Sequence, residues 1–247
     1  VFNITGSSGN ILSANQFVGS GAAPEHVSYT NNVLYNNQPG SAFCYAMTVS
    51  GSGNLLENNT IYHNGSGILN QYGATSSGNV YRNNTLYGNT NFNPSANSIV
   101  ENNKIYATTN IAANTTAVNN VFTTVAISGT NTTFANNDVA GTVTVSGNGN
   151  FIEDNIIISD GEYAVDLKST SDNVVIGNIL YGKELYSDAA VNYVAENNNT
   201  VENNYPYTPV LTVEAADIEV GENATINVAF SEGVNGYVEV IVDGKKY

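Results

Sequence analysis

The chain has 247 residues, of which only 11% are charged, and the charges are lopsided: 6 Lys and Arg against 21 Asp and Glu, a formal net charge of -15. A surface this acidic repels phosphate backbones and anionic lipid, which excludes nucleic acid and membrane surfaces as partners. A single Cys excludes an internal disulfide framework and a thiolate metal cluster, and no apolar run approaches the roughly 18 residues of a membrane span.

Asparagine is the commonest polar residue, with 42 copies beside 23 Gly. Such polarity often accompanies disorder, but 41% of the residues are hydrophobic and they recur at fixed offsets, so the chain reads as folded. The pattern is already under way at Val1, as expected of a piece of a longer chain.

One motif returns along the chain: Gly-Asn, two apolar residues, two polar ones, then Asn-x-apolar. Gly9–Phe17, Gly53–Ile61 and Gly78–Leu86 are clear copies. Its anchor asparagines are Asn15, Asn32, Asn59, Asn84, Asn103, Asn120, Asn137, Asn155, Asn178 and Asn204, separated by 17 to 27 residues. A rigid part joined to a part of variable length predicts an all-β solenoid, in which short parallel strands stack at about 4.8 Å and extra residues leave as loops. Three positions before the anchor stand Leu12, Tyr29, Leu56, Tyr81, Val100, Ala117, Phe134, Ile152, Val175 and Val201. Two positions after it stand Phe17, Leu34, Ile61, Leu86, Ile105, Phe122, Val139, Ile157 and Leu180. These two columns are expected to face inward. The anchor Asn between them is expected to take left-handed backbone geometry and to hydrogen-bond to its counterpart one coil away. A helical solenoid is excluded, because no stretch shows apolar spacing of three and four.

Three positions after the anchor, successive coils carry Tyr35, Tyr62, Tyr87 and Tyr106, and Tyr181 repeats the placement later. Alternation along a strand turns these rings outward. They read either as a flat aromatic platform for sugar rings or as a ladder that stabilises stacking beneath a covering loop. Arg82 shares its column with Glu57 and Glu101, an arrangement expected of cross-strand ion pairs rather than of a catalytic base. His26 and His63 lack ligand-spaced partners and read as loop residues, while Cys44 reads as a small core residue.

The densest acidic stretch holds Glu153, Asp154, Asp160, Glu162, Asp166 and Asp172. It reads as a solvated face or as a weak calcium site built from Asp154, Asp160, Glu162 and Asp166. No calcium-loop spacing is present, and no other cofactor is implied. Eight Asn-x-Ser/Thr sequons begin at Asn3, Asn58, Asn64, Asn83, Asn114, Asn131, Asn198 and Asn223. With 20 Ser and 23 Thr, chance alone yields about seven, so the number does not argue for glycosylation.

After Asn204 the repeat stops. Tyr205-Pro206-Tyr207-Thr208-Pro209 reads as a stiff linker. Strand-like runs follow at Val210–Val213, Ala224–Phe230 and Tyr237–Val242, with a turn at Asp243-Gly244. Their period-two alternation suggests a sandwich, cut short of the roughly 100 residues of an immunoglobulin-like module. The expected organisation is a β-solenoid over 1–205, a linker at 206–209 and a truncated Ig-like segment over 210–247.

The repeat over about residues 1–205 resembles the right-handed parallel β-helix of pectate-lyase-like proteins and many surface adhesins, here with about ten coils. The tail, Asp217–Val228 followed by Gly236–Tyr247, resembles the Ig-like repeats of adhesin-like proteins of methanogenic archaea, in which Asn-rich β-helices precede such repeats. The resemblance implies a secreted, cell-surface binding protein whose partners are glycans or surface proteins of other microbes or of a host. Two alternatives stand beside it. One is a polysaccharide lyase or hydrolase, which the scarcity of basic residues and of convergent Asp disfavours. The other is a structural stalk that binds nothing.

Overall fold

The computed structural model describes residues 11–13, 16–18, 21–23, 28–30, 32–36, 45–49, 51–63, 67–71, 77–88, 92–207, 211–215, 226–230, 241–242 and 245–246. The chain divides into two units, Val1–Tyr207 and Thr208–Tyr247.

The first unit is all-β, a parallel β-solenoid. Its first sheet takes one three-residue strand from each motif copy, in the order Ile11–Ser13, Ser28–Thr30, Leu55–Glu57, Val80–Arg82, Ile99–Glu101, Thr116–Val118, Thr133–Ala135, Phe151–Glu153, Val174–Ile176 and Thr200–Glu202. The strands are short because a turn residue brackets each one five positions from the next. Register is constant: Leu56, Tyr81, Val100, Ala117, Phe134, Ile152, Val175 and Val201 lie opposite one another in turn. A second parallel sheet carries Ile61, Leu86, Ile105, Phe122, Val139, Ile157 and Leu180 in the same way. Apart from half-buried Val201, both columns are buried from residue 56 onward, as their spacing predicts. Aromatic side chains interlock across the interior, with Phe122 and Phe134 of the two columns stacked at 5.6 Å and Tyr81 meeting Phe92, from outside them, edge-on at 5.5 Å. Burial of each such side chain stabilises by about 1.5–3 kcal/mol.

A third inward face escapes the motif. Thr109, Val125, Val143, Val165 and Val191 stack in register, as do Ile111, Ile127 and Val145, and all are buried. From Asn103 to Asn204 the continuously described stretch holds five anchor-to-anchor turns.

The anchor asparagines form a buried spine. Asn84, Asn103, Asn120, Asn137 and Asn155 each donate one Nδ2 hydrogen to Oδ1 of the next anchor, at 2.9–3.0 Å, and another to a main-chain carbonyl on the preceding turn. Each Oδ1 from Asn103 to Asn178 also accepts the backbone N–H of the anchor before it, at 2.8–2.9 Å. Amide donors and acceptor are therefore all used, which is what burial of a polar group requires.

The left-handed residue lies one position earlier than the anchor, a correction to the sequence reading. Asn58, Asn83, Asn102, Asn119, Asn136, Asp154 and Asn203 have φ of 53–57°, and Gly177 has 71°. A residue in the left-handed region reverses the chain and throws the next side chain inward, so bend and ladder are separate jobs done by adjacent residues. The same pair recurs five positions upstream. Gly53, Gly78, Asn97, Asn114, Asn131, Gly149, Asp172 and Asn198 have positive φ. Each precedes a second inward polar residue, namely Asn54, Asn79, Ser98, Thr115, Thr132, Asn150, Asn173 or Asn199.

Tyr205–Pro206, expected to open the linker, is instead a strand paired with Ile179 and Leu180. Pro206 has no N–H to donate, and an outer position in a sheet tolerates that. In the second unit Leu211–Ala215 runs antiparallel to Ile226–Phe230, and Ile241–Val242 to Lys245–Lys246.

Candidate binding surface

The outer face of the second sheet carries the tyrosines. Strand alternation buries Ile61, Leu86 and Ile105 and turns their neighbours outward, so Tyr62, Tyr87 and Tyr106 fall in register on consecutive strands, 36%, 41% and 39% exposed. Tyr35 occupies the same register next to Tyr62, with its side chain outside the described residues. Beside this row run Thr60, Thr85 and Lys104, also in register and facing out.

Tyr87 and Tyr106 have ring centroids 5.2 Å apart and planes inclined by 13°. That separation is too short for two rings to lie edge to edge in one plane, so their faces overlap. This pair is shingled rather than flat, and both residues remain exposed. The row stops at Tyr106 because the next coil holds Thr123 three positions after its anchor Asn120, and the pairing also slips there, between Ile105 and Thr108. Farther along, Tyr181 is in register with Ile158 and meets Tyr186 edge-on at 5.3 Å.

The acidic candidates do not converge. Asp154 is an exposed turn residue in the left-handed column, and Asp160 and Glu162 are exposed. Asp166 accepts from Nδ2 of Asn192 at 2.9 Å and from the backbone N–H of Lys168. Among the described residues no three His, Cys, Asp or Glu side chains gather to hold a metal ion. Hydrogen bonds from Asn198, then Ser171, hold the Asp172 carboxyl below its ordinary range. The negative charge of Glu162 raises Tyr163. His26 and Cys44 lie outside the described residues, as does the side chain of His63.

Arg82 sits between two acids as its column predicts. Its Nε lies 2.7 Å from Oε1 of Glu57, and Nη1 3.7 Å from Oε1 of Glu101. The Nε–H is not aimed along a hydrogen bond, so the attraction to Glu57 is Coulombic. All three side chains are more than a quarter exposed, and solvent screens the pairs. Replacing Arg82 with Ala is expected to lower stability by at most about 1 kcal/mol in a denaturant titration. A loss of several kcal/mol would show the ion pairs to be part of the fold's core energetics.

Sequence reasoning missed the second polar column and Asp188. The carboxylate Oδ1 of Asp188 accepts from the backbone N–H of Asn204 at 3.0 Å and from its Nδ2 at 2.7 Å. Asp188 thus stands where a further anchor asparagine would be. It lies on a short helical turn, Ser187–Ala190, in the long segment between Asn178 and Asn204, outside the motif.

No protein-family model matches the chain, and no curated protein sequence matches it.

Proposed function

We propose that this chain is an extracellular, surface-displayed, adhesin-like binding protein. In this reading a right-handed β-helix of about ten coils presents a repetitive binding face and is followed by the start of an Ig-like segment. The observation that carries the proposal is the exposed row Tyr62, Tyr87 and Tyr106, in register on consecutive strands with the last two rings stacked, and with Thr60, Thr85 and Lys104 alongside. Sugars offer C–H faces that pack on aromatic rings and hydroxyls that bond to phenol and Thr oxygens, and an extended glycan lying along the row meets several such contacts in succession. The partners are accordingly glycans of other cells, or glycan-bearing surface proteins. The resemblance of the tail to archaeal adhesin-like repeats points the same way.

A second reading, a stalk that binds nothing, draws on the polar ladders, which give the described turns a uniform interior with no ligand needed. A glycan array separates the two. The wild-type chain is expected to bind selected glycans, and a Tyr87→Ala/Tyr106→Ala variant to bind them at least tenfold more weakly. The stacked pair contributes only about 0.5–1.5 kcal/mol, so the variant remains folded and its melting temperature certifies the comparison. Absence of binding by wild type, or equal binding by the variant, would end the tyrosine-row reading.

A further inference from the structure

Among the described residues the repeat motif uses asparagine in two chemically distinct places, ladder and turn, and the division bears on the sequons. From Asn84 to Asn204 the anchor asparagines are buried and spend both Nδ2 hydrogens: Asn84, for example, donates to the Leu56 carbonyl and to Asn103 Oδ1. Turn asparagines are exposed at φ of 52–55° in Asn58, Asn83, Asn114, Asn131 and Asn198. These five are the sequon asparagines that fall among the described residues. A ladder asparagine cannot open a sequon in this fold, because the position two residues on belongs to an inward apolar column. A turn asparagine can, because the position two residues on faces outward, and in all five cases it holds Thr: Thr60, Thr85, Thr116, Thr133 and Thr200.

We propose that Asn58, Asn83, Asn114, Asn131 and Asn198 are N-glycan acceptor sites, modified before their turns fold. In the transfer, Nδ2 attacks the anomeric carbon of a lipid-linked oligosaccharide. The bond from that carbon to the lipid phosphate oxygen breaks, the lipid phosphate leaves, and the proton lost from Nδ2 passes to a base of the transferase. The product amide keeps one N–H. Asn114, which donates to Asn97 Oδ1, and Asn198, which donates to Asp172 Oδ1, therefore keep those bonds after modification. A ladder amide, with both hydrogens committed, would lose one.

The timing follows from the other two sequon residues. In the folded chain the middle residue is a ladder member, with Asn59, Asn84, Thr115 and Thr132 each at most 2% exposed. The N–H of each sequon Thr is bonded to the neighbouring turn: Thr60 to Asn32, Thr85 to Asn59, Thr116 to Ser98, Thr133 to Thr115 and Thr200 to Asn173. A transferase that must grip all three residues finds them already engaged. The proposal does not depend on the tyrosine row binding anything.

The test exports the full chain from a host that carries an oligosaccharyltransferase and its lipid-linked donor, and maps occupancy by glycopeptide mass spectrometry. The expected result is glycan on several of the five asparagines, in a protein whose melting temperature lies within a few degrees of the unmodified chain. In a second arm the purified, folded, unmodified chain and a synthetic peptide spanning residues 110–118 are offered to the same enzyme and donor. The folded chain is expected to accept glycan at least tenfold more slowly than the peptide. Empty sites at all five positions, or a glycosylated chain that no longer melts cooperatively, would overturn the assignment. Folded chain and peptide reacting at equal rates would overturn the timing.

Discussion

Replacing Asn120 with Ala is expected to lower stability by about 3–5 kcal/mol, whereas the same change at its neighbour Asn119 is expected to cost about 1–2 kcal/mol. The two residues share chemistry and adjacency but not function. The Asn120 amide donates to the Val100 carbonyl and to Asn137 Oδ1, and its Oδ1 accepts the backbone N–H and an Nδ2 hydrogen of Asn103. Truncation leaves two donors and two acceptors short of a partner, in a place that is 1% exposed. Each orphaned buried group costs about 1–3 kcal/mol before relaxation. Asn119 is exposed and contributes its backbone, held at φ 56°. Ala there pays for the left-handed conformation, and Gly does not. Denaturant titrations of Asn120→Ala, Asn119→Ala and Asn119→Gly should rank in that order of damage. Equal midpoints for Asn120→Ala and Asn119→Ala would mean that the spine is incidental to stability.

The same logic explains where an acid is admissible. Asp in place of Asn120 would keep the acceptor and lose both donors, leaving the Val100 carbonyl without its amide partner and Asn137 Oδ1 with the residue-120 backbone N–H alone, both beside a buried charge. At the end of the spine only acceptance is needed. Asp188 supplies it to Asn204, after which no further anchor asparagine follows among the described residues. The spine is thus directional, and its last member among the described residues is a different residue type for a stated reason.

These roles differ in how far the sequence reveals them. The inward columns were legible because Asn-x-apolar fixes the phase of each coil, and alternation then places Tyr62, Tyr87 and Tyr106 outside. The bend was read one residue late because six described coils present an Asn-Asn doublet in which either residue suits a left-handed turn. Two coils break the tie. In Asp154-Asn155 and Gly177-Asn178 the first residue varies among turn formers while the second stays Asn, as expected if only the second needs an amide. The second polar column hid because Ser98, Thr115 and Thr132 replace Asn in it. The third apolar face hid because segments of 17 to 27 residues between anchors destroy its phase. Asp188 lies outside the repeat, so no periodicity marks it. Stacking of Tyr87 on Tyr106 depends on side-chain rotation, which a strand pattern does not specify.

Gly147→Ala is expected to prevent stable folding, or to lower the denaturation midpoint by the equivalent of more than about 3 kcal/mol. Gly129 and Gly147 are buried, and each follows a strand of the third face by two residues. Neither has positive φ, so conformational freedom is not what they supply. They supply clearance. A methyl carbon on Gly147 would overlap the Gly129 carbonyl, and one on Gly129 would overlap the backbone of Ala112 and Ala113. Those obstacles are main chain, held by bonds such as Gly129 N–H and Ser128 N–H to the Ile111 carbonyl and Ser146 N–H to the Ile127 carbonyl. No rotamer change relieves the clash, and the turns would have to part. Gly78 makes the contrast. It has φ +65°, and the nearest atom to a methyl carbon there is Asn97 O at 3.9 Å. Conformation rather than space selects glycine at that position, and the next three turns use Asn97, Asn114 and Asn131 in the same column. Gly78→Asn is therefore expected to stay within about 1 kcal/mol of wild type, since Asn tolerates the left-handed region. Thermal melts of the two variants side by side decide the matter. If Gly147→Ala melted with wild type, the turns would have slack that their hydrogen bonding denies. If Gly78→Asn unfolded, the two glycine roles would be wrongly assigned.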